Sequence, residues 1–192
     1  MKPDIALKLA QCRYHGDYIF AFDHYEQKKL IVEGLRVWKT AHPDRPAKFY
    51  VLCGFRCEGR EVDDILEALK RIRILMQFGM LPYIMRHEEY RKSIFRDLYT
   101  QLARWCNQPQ FFKKKSFKEF VEANQFYRDK NPNAHVKVCS AKRAMDVFLT
   151  SPLRSKDGKT TKEIAKEFFS LKFETLCRCW CSRKELIGEK GL

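Results

Sequence analysis

The sequence contains no long apolar run, and this absence limits where the protein can act. No stretch approaches the roughly 18 consecutive apolar residues that a membrane span needs. The first residues, MKPDIALKLAQCR, carry charges where a secretory signal peptide has its apolar centre. We therefore expect a cytoplasmic protein with no membrane partner.

Several catalytic and metal-binding motifs are also absent. The chain has no G-x-x-x-x-G-K-[ST] phosphate loop, no G-x-S-x-G nucleophile turn and no H-E-x-x-H metal helix. It has eight cysteines but no C-x-x-C pair, so no zinc ribbon or finger is indicated. Cys177, Cys179 and Cys181 stand close together near the end, and such thiolates can ligate a metal or a cluster. They are a candidate metal site, with free or buried thiols as the alternative.

Acidic residues are scarce relative to basic ones. The 192 residues hold 38 Lys and Arg against 24 Asp and Glu, a net charge of +14. The excess is largest after residue 107, where 19 basic residues face 10 acidic ones. An excess of this kind favours nucleic acid or another anionic partner, because cationic side chains release counterions from phosphates. A solvated basic surface is the alternative.

Short apolar segments alternate with amphipathic ones in the first half. Three segments, 18–23, 48–53 and 81–85, are nearly continuous in apolarity and predict parallel strands covered on both faces. Apolar residues at helical spacing predict helices over 4–12, 26–40, 63–78 and 93–106. This alternation indicates a parallel sheet with right-handed crossovers, either open or part of a (β/α) barrel.

Polar side chains follow the predicted strands. In parallel α/β proteins ligands bind beyond the carboxyl ends of the strands. The residues there include His24, Arg86, His87 and Glu88, which we predict to form a substrate rim. Polar loop residues in contact with water are the alternative.

The second half, residues 108–192, predicts a basic and mostly helical extension of a first unit over 1–107. Ser116-x-x-Glu119 and Thr160-x-x-Glu163 are capping boxes that predict helix starts. Another helix is expected from Ser140, after a possible strand at 134–139. The helix after Thr160 superficially resembles the opening of a helix-turn-helix unit.

Three segments in order resemble the last three strands of the barrel in radical S-adenosylmethionine (SAM) enzymes. They are FAFD at 20–23, FYVLCGF at 49–55 and LPYIMR at 81–86. In many of these proteins the fifth strand reads like YVLxGF, an Arg-Ile pair lies in the next helix, and the sixth strand reads like PYIMRY. Arg71 and Ile72 supply such a pair, and LARWCN at 102–107 is similar to the helix after the sixth strand. The resemblance covers residues 4 to about 125.

The resemblance implies three parallel βα units that form half of a (β/α)6 partial barrel, followed by the basic helical region. It implies SAM and a [4Fe–4S] cluster as cofactors. By position, Asp23 is expected to face the ribose, and Gly54 to let its strand approach the cofactor closely. Ile84 and Met85 are expected to contact the adenine, partly through backbone groups.

The cluster-binding part of that family is missing from the sequence. The C-x3-C-x2-C loop that follows the family's first strand does not occur. We therefore expect the C-terminal portion of such a protein, inactive without an N-terminal half. Its first strand is then an unpaired edge, which invites pairing with the missing half or with a second copy. The alternative functions are a basic α/β module that binds nucleic acid without catalysis, and a remnant with no activity.

Overall fold

The described part of the chain contains a parallel sheet of three strands. The computed structural model describes residues 1–12, 14–56, 58–130 and 140–177. The strands are β1 (Ile19–Ala21), β2 (Lys48–Cys53) and β3 (Leu81–Arg86), in the order β1-β2-β3. Their register pairs Ile19 with Lys48 and Lys48 with Leu81. The predicted strands and their parallel direction are confirmed.

Helices connect the strands and make up most of the described chain. They are α1 (Pro3–Gln11), α2 (Lys28–Ala41), α3 (Glu61–Gln77), α4 (Arg96–Cys106), α5 (Pro109–Phe112), α6 (Phe117–Lys130), α7 (Ser140–Thr150) and α8 (Thr161–Phe168). Short 3-10 segments, Tyr25–Gln27 and Glu88–Lys92, precede α2 and α4. The predicted helices of the first half are confirmed within a few residues. No helix in the described ranges is long and apolar enough to cross a membrane.

Only one face of the sheet is covered by helices within the described residues. Phe49 and Val51 of β2 and Ile84 of β3 are buried, and α3 and α4 contact these strands. The residues between them point to the other side, where Tyr83 is 40% and Met85 is 45% exposed. The expectation that helices cover both faces is therefore not met within the described residues. A continuous apolar run does not distinguish a buried face from an exposed apolar one.

The side chain of Asn107 occupies the outer edge of β3. Its Oδ1 accepts the backbone N–H of Ile84 at 2.7 Å, and its Nδ2 donates to the carbonyl of Ile84 at 3.1 Å. An amide presents the same donor and acceptor as a peptide unit, so Asn107 takes the place of a neighbouring strand at this point. The residue follows α4 directly, and it therefore also ties that helix to the sheet.

The basic region packs onto the sheet unit and shares its hydrophobic core. The Phe95 ring lies 5.2 Å from that of Phe148, and Trp105 lies 5.6 Å from Phe117 (centroid distances). One cluster of buried residues runs from Tyr18 to Phe169 across position 107. The division into 1–107 and 108–192 thus describes a change in composition, while the core is continuous across it.

Both predicted capping boxes form. Ser116 Oγ accepts the N–H of Glu119, whose carboxylate accepts the N–H of Ser116. Thr160 and Glu163 make the same reciprocal pair at the start of α8. The helix expected from Ser140 is present as α7. The possible strand at 134–139 lies among residues outside the described ranges.

We predict that Asn107→Ala lowers the free energy of unfolding by about 2 kcal/mol, because two backbone groups of Ile84 each lose a hydrogen bond. Asn124→Ala is the matched control, since Asn124 makes one helical bond to the Phe120 carbonyl. It should cost less than about 1 kcal/mol. Urea denaturation of the three proteins measures the difference, and equal costs would contradict the role of Asn107.

Candidate functional site

A buried guanidinium lies at the carboxyl ends of β1 and β2. Arg71 of α3 is fully buried. Its Nη1 donates to the carbonyls of Phe22 at 2.8 Å and Asp23 at 2.6 Å, and its Nη2 donates to that of Leu52 at 2.9 Å. Burial lowers the pKa of Arg71, and the nearby charge of Asp64 opposes that shift. Arg71 thus joins α3 to the ends of two strands.

The backbone hydrogen bonds between β1 and β2 are replaced by bonds to side chains at this end. Earlier in the ladder, Lys48 N–H donates to the Tyr18 carbonyl, and Phe22 N–H donates to the Tyr50 carbonyl. At the next position Leu52 N–H donates instead to Asp23 Oδ1 at 3.2 Å. The carbonyl of Phe22 is taken by Arg71. The Asp23 carboxylate therefore lies at the end of the sheet and is held there by the backbone of β2.

A second buried charge, Asp64, holds the turn after β2. Its Oδ2 accepts the N–H of Gly54 and the hydroxyl of Tyr99, at 2.7 and 2.8 Å. Its Oδ1 is buried without a hydrogen-bond partner among the described residues. Burial raises the pKa of Asp64, while the bonds from Gly54 and Tyr99 lower it less strongly. Asp64 and Arg71 lie two turns apart on α3 and thus share one face of the helix.

Gly54 is required by its own backbone and by a neighbouring side chain. Its φ of +79° lies in the left-handed region. A Cβ at this position would lie 2.5 Å from the Cβ of Tyr90. The close neighbour of Gly54 in the structure is thus Tyr90. Whether a cofactor also approaches Gly54 stays a prediction.

The uncovered face carries aromatic and apolar side chains beside Asp23. Tyr50 pairs with Tyr83 in the register, and their rings meet edge to face at 5.6 Å. One level nearer the carboxyl ends, Leu52 pairs with Met85. Asp23 adjoins this level through its bond to Leu52 N–H. Two of the predicted cofactor-binding residues, Asp23 and Met85, are therefore at the same end of the same face.

Ile84 is placed differently from Met85. Its side chain is buried on the helix-covered face. Both of its backbone groups bond to Asn107. Ile84 thus belongs to the core under the sheet, whereas the side chain of Met85 lies on the open face.

The four predicted rim residues all lie near the carboxyl ends of the strands. His24 is exposed, and its ring packs against that of Phe55 at 5.7 Å. Arg86 donates to the hydroxyls of Tyr90 and Thr100. His87 accepts the N–H of Glu89 at the start of a 3-10 segment, and Glu88 is exposed.

Cys177 lies at the opposite end of the sheet from the rim. Its Sγ would lie 3.0 Å from a Cβ built on Gly79, at the turn that precedes β3. Cys179 and Cys181 lie outside the described residues. In the described part of the chain, no group of three or more His, Cys, Asp or Glu is arranged to hold a metal ion. The metal site at the three cysteines stays a prediction, and its first member is remote from the rim.

Sequence reasoning missed Asp64, Tyr99 and Asn107, and it gave Arg71 no function. A signal for two of them was present. Asp64 and Arg71 occur at helical spacing with Ala68 and Leu75, on the apolar side of α3. Charged residues on the buried face of a helix indicate polar partners inside the fold. Tyr99 and Asn107 carried no comparable signal.

Comparisons with family models, with curated proteins and with solved structures give no match to this chain.

We predict that Gly54→Ala destabilises the protein by about 2–4 kcal/mol, because the new Cβ adds a clash with Tyr90 to the strain of a positive φ. Gly59→Ala is the matched control. Gly59 has a φ of +73°, but a Cβ there meets nothing within 4 Å. Its cost should be about 1–2 kcal/mol, the strain alone. Thermal and urea unfolding compare the two, and a cost for Gly54→Ala no larger than the control would disprove the close contact.

The raised pKa of Asp64 predicts a pH dependence of stability. Since the pKa of Asp64 is higher in the folded state than in the unfolded state, the folded state binds the proton more tightly. The free energy of unfolding therefore falls as the pH rises from the unfolded pKa to the folded pKa. Asp64→Asn should remove this part of the slope. Tyr99→Phe should make it steeper, because the hydroxyl that favours the carboxylate is gone. Urea unfolding between about pH 4 and about pH 7 measures the slopes, and parallel curves for all three proteins would refute the assignment.

Proposed function

We propose that the chain is the C-terminal portion of a radical SAM protein and supplies part of its SAM and substrate site. The observation that supports this is the uncovered face of a parallel sheet whose opposite face is packed with helices. In a (β/α) barrel, helices surround the outer side of the strands and the inner side lines the interior. Three adjacent parallel βα units with one bare face are what half of a (β/α)6 partial barrel would present, and this supports the proposal.

The bare face offers groups suited to a nucleoside. A carboxylate accepts hydrogen bonds from both hydroxyls of a ribose, and apolar side chains pack against a purine ring. Asp23 supplies the carboxylate, held by Leu52 N–H. Met85 supplies an apolar and polarisable surface on the same level. In this proposal Ile84 supports Met85 from the covered face.

When bound and reductively cleaved, SAM supplies a radical that takes hydrogen from a substrate. The described residues do not provide ligands for the [4Fe–4S] cluster that such cleavage requires. In the proposal its ligands belong to the missing N-terminal half, and this chain is inactive alone.

The proposed contribution to substrate binding comes from the rim. His24 and Glu88 are exposed at the carboxyl ends of the strands, where a substrate would approach the SAM site. Arg86 stacks on Tyr90 at 4.6 Å and is oriented by Thr100. A guanidinium held in this way favours a substrate with an anionic or carbonyl group.

The test begins with the DNA upstream of the Met1 codon. We expect a C-x3-C-x2-C loop and further βα units, in frame or as a separate gene. The encoded polypeptide is then joined to or co-expressed with this chain, and SAM binding is measured by equilibrium dialysis. Binding is expected for the reunited protein only. Asp23→Asn should weaken it about tenfold, equivalent to about 1.4 kcal/mol, because the ribose loses a charged acceptor.

Asp44→Asn is the control for that substitution. Asp44 is exposed in the loop before β2, at the other end of the sheet, and its replacement should leave SAM binding unchanged. Equal affinities for both variants would contradict the role of Asp23. Absence of any upstream half would overturn the proposal. Steeply salt-dependent retention on nucleic acid would then favour the basic binding module instead.

A further inference from the structure

We propose that the free edge of β1, with the apolar surface beside it, binds a second copy of this chain as a two-fold dimer. This inference does not rest on the proposed function, since it concerns the chain by itself. In a reunited protein the N-terminal half would pair with this edge instead.

Within the described ranges, no other strand pairs with the outer edge of β1. In a parallel ladder alternate residues direct their N–H and C=O to the neighbouring strand. Tyr18 and Phe22 bond to β2. The backbone groups of Ile19 and Ala21 between them therefore point away from the sheet. An exposed edge of this kind pairs readily with another strand.

Two apolar depressions border this edge. One, of about 240 Å³, lies between β1 and α2 and includes Phe20, Leu30 and Trp38 in its lining. The other, of about 410 Å³, lies between β1 and the end of α1 and includes Tyr14 and Ile19.

Several exposed apolar residues line these depressions. Ile19 is 49% and Leu30 is 63% exposed. Of the eleven large apolar residues that are exposed in the described ranges, four line the depressions, namely Met1, Tyr14, Ile19 and Leu30. A contiguous apolar area rimmed by polar residues is typical of a protein–protein contact.

The charge of this surface suits self-association. The whole chain carries +14, and two copies would repel each other across most of their surfaces. Residues 1–35, which form α1, β1 and the first part of α2, contain five Lys and Arg and five Asp and Glu. The segment that carries most of the apolar surface is thus balanced in charge, and Arg45, which donates to the carbonyls of Tyr14 and Gly16, adds one positive charge beside it. Two copies can therefore meet there with less repulsion than the rest of the chain imposes.

The other edge of the sheet determines the symmetry of the contact. Pairing of β1 in one copy with β3 in another requires a free β3 edge. The Asn107 side chain already takes both outward hydrogen bonds of Ile84 on that edge. The remaining arrangement joins β1 to β1. Identical strands related by a two-fold axis across the sheet edge run antiparallel, so each copy contributes the same surface. The result is a continuous sheet of two parallel halves rather than a closed barrel.

Sedimentation velocity and light scattering on the purified full chain test this inference. We expect twice the monomer mass of 22.9 kDa at about 100 μM and dissociation on dilution. Reductant is present throughout, because Cys12 is exposed and would otherwise form disulfide-linked pairs. A monomer at the highest concentration overturns the proposal.

Two variants target the edge. Ile19→Lys places a charge on it, and Ala21→Pro removes an outward N–H without removing a bond to β2. Each should raise the dissociation constant of the dimer at least tenfold and leave the circular dichroism spectrum unchanged. Ile94→Lys is the control, since Ile94 is 59% exposed and precedes α4, outside this surface. It should leave the dimer intact. A dimer that survives both edge variants, or is lost equally in the control, also overturns the proposal.

Discussion

The buried guanidinium of Arg71 is the interaction on which the arrangement of the sheet depends. It supplies donors to carbonyls of β1 and β2 at the point where the ladder between them ends. Hydrogen bonds from a charged group are each worth about 1.5–3 kcal/mol, but desolvation of the ion offsets much of the sum. Arg71 therefore fixes the positions of the strand ends more than it raises the free energy of unfolding. Asp64, two turns earlier on the same helix, accepts the N–H of Gly54 and so fixes the turn after β2. Because Gly54 has no side chain, Tyr90 can pack directly against it.

Because the strand ends are fixed from the covered side, the open side needs no helix to keep its shape. Arg71 reaches the carbonyls from α3, and Asn107 holds the edge of β3 from the end of α4. The side chains on the open face, such as Tyr50 and Met85, are consequently not needed to secure the strands. They are available for another polypeptide or for a ligand, and this explains how an apolar surface can persist on a well-ordered sheet.

The sequence predicted the repeating elements well because their signals are local. Short apolar runs specified the strands, and the Thr160–Glu163 pair specified the start of α8. The covered and open faces were not distinguishable, because Tyr83 and Met85 stand in the same largely apolar run as Ile84 although only Ile84 is buried. Nor was the partner of Gly54 predictable, since Tyr90 belongs to a segment 36 positions later and no local pattern links the two. Contacts of that kind arise from the tertiary arrangement alone.

The shared core has a consequence for synthesis on the ribosome. Phe148 completes the packing of Phe95, yet it follows Phe95 by 53 positions. At usual elongation rates of about 5–20 residues per second, its arrival takes roughly 3–10 s. During that interval the helices of the sheet unit present uncovered aromatic rings on their outer side, while the bare face and the β1 edge are exposed as well. Until α7 emerges, the nascent chain thus exposes apolar surface on the helical side in addition to the bare face and the β1 edge, and a chaperone that shields apolar surfaces can bind it there.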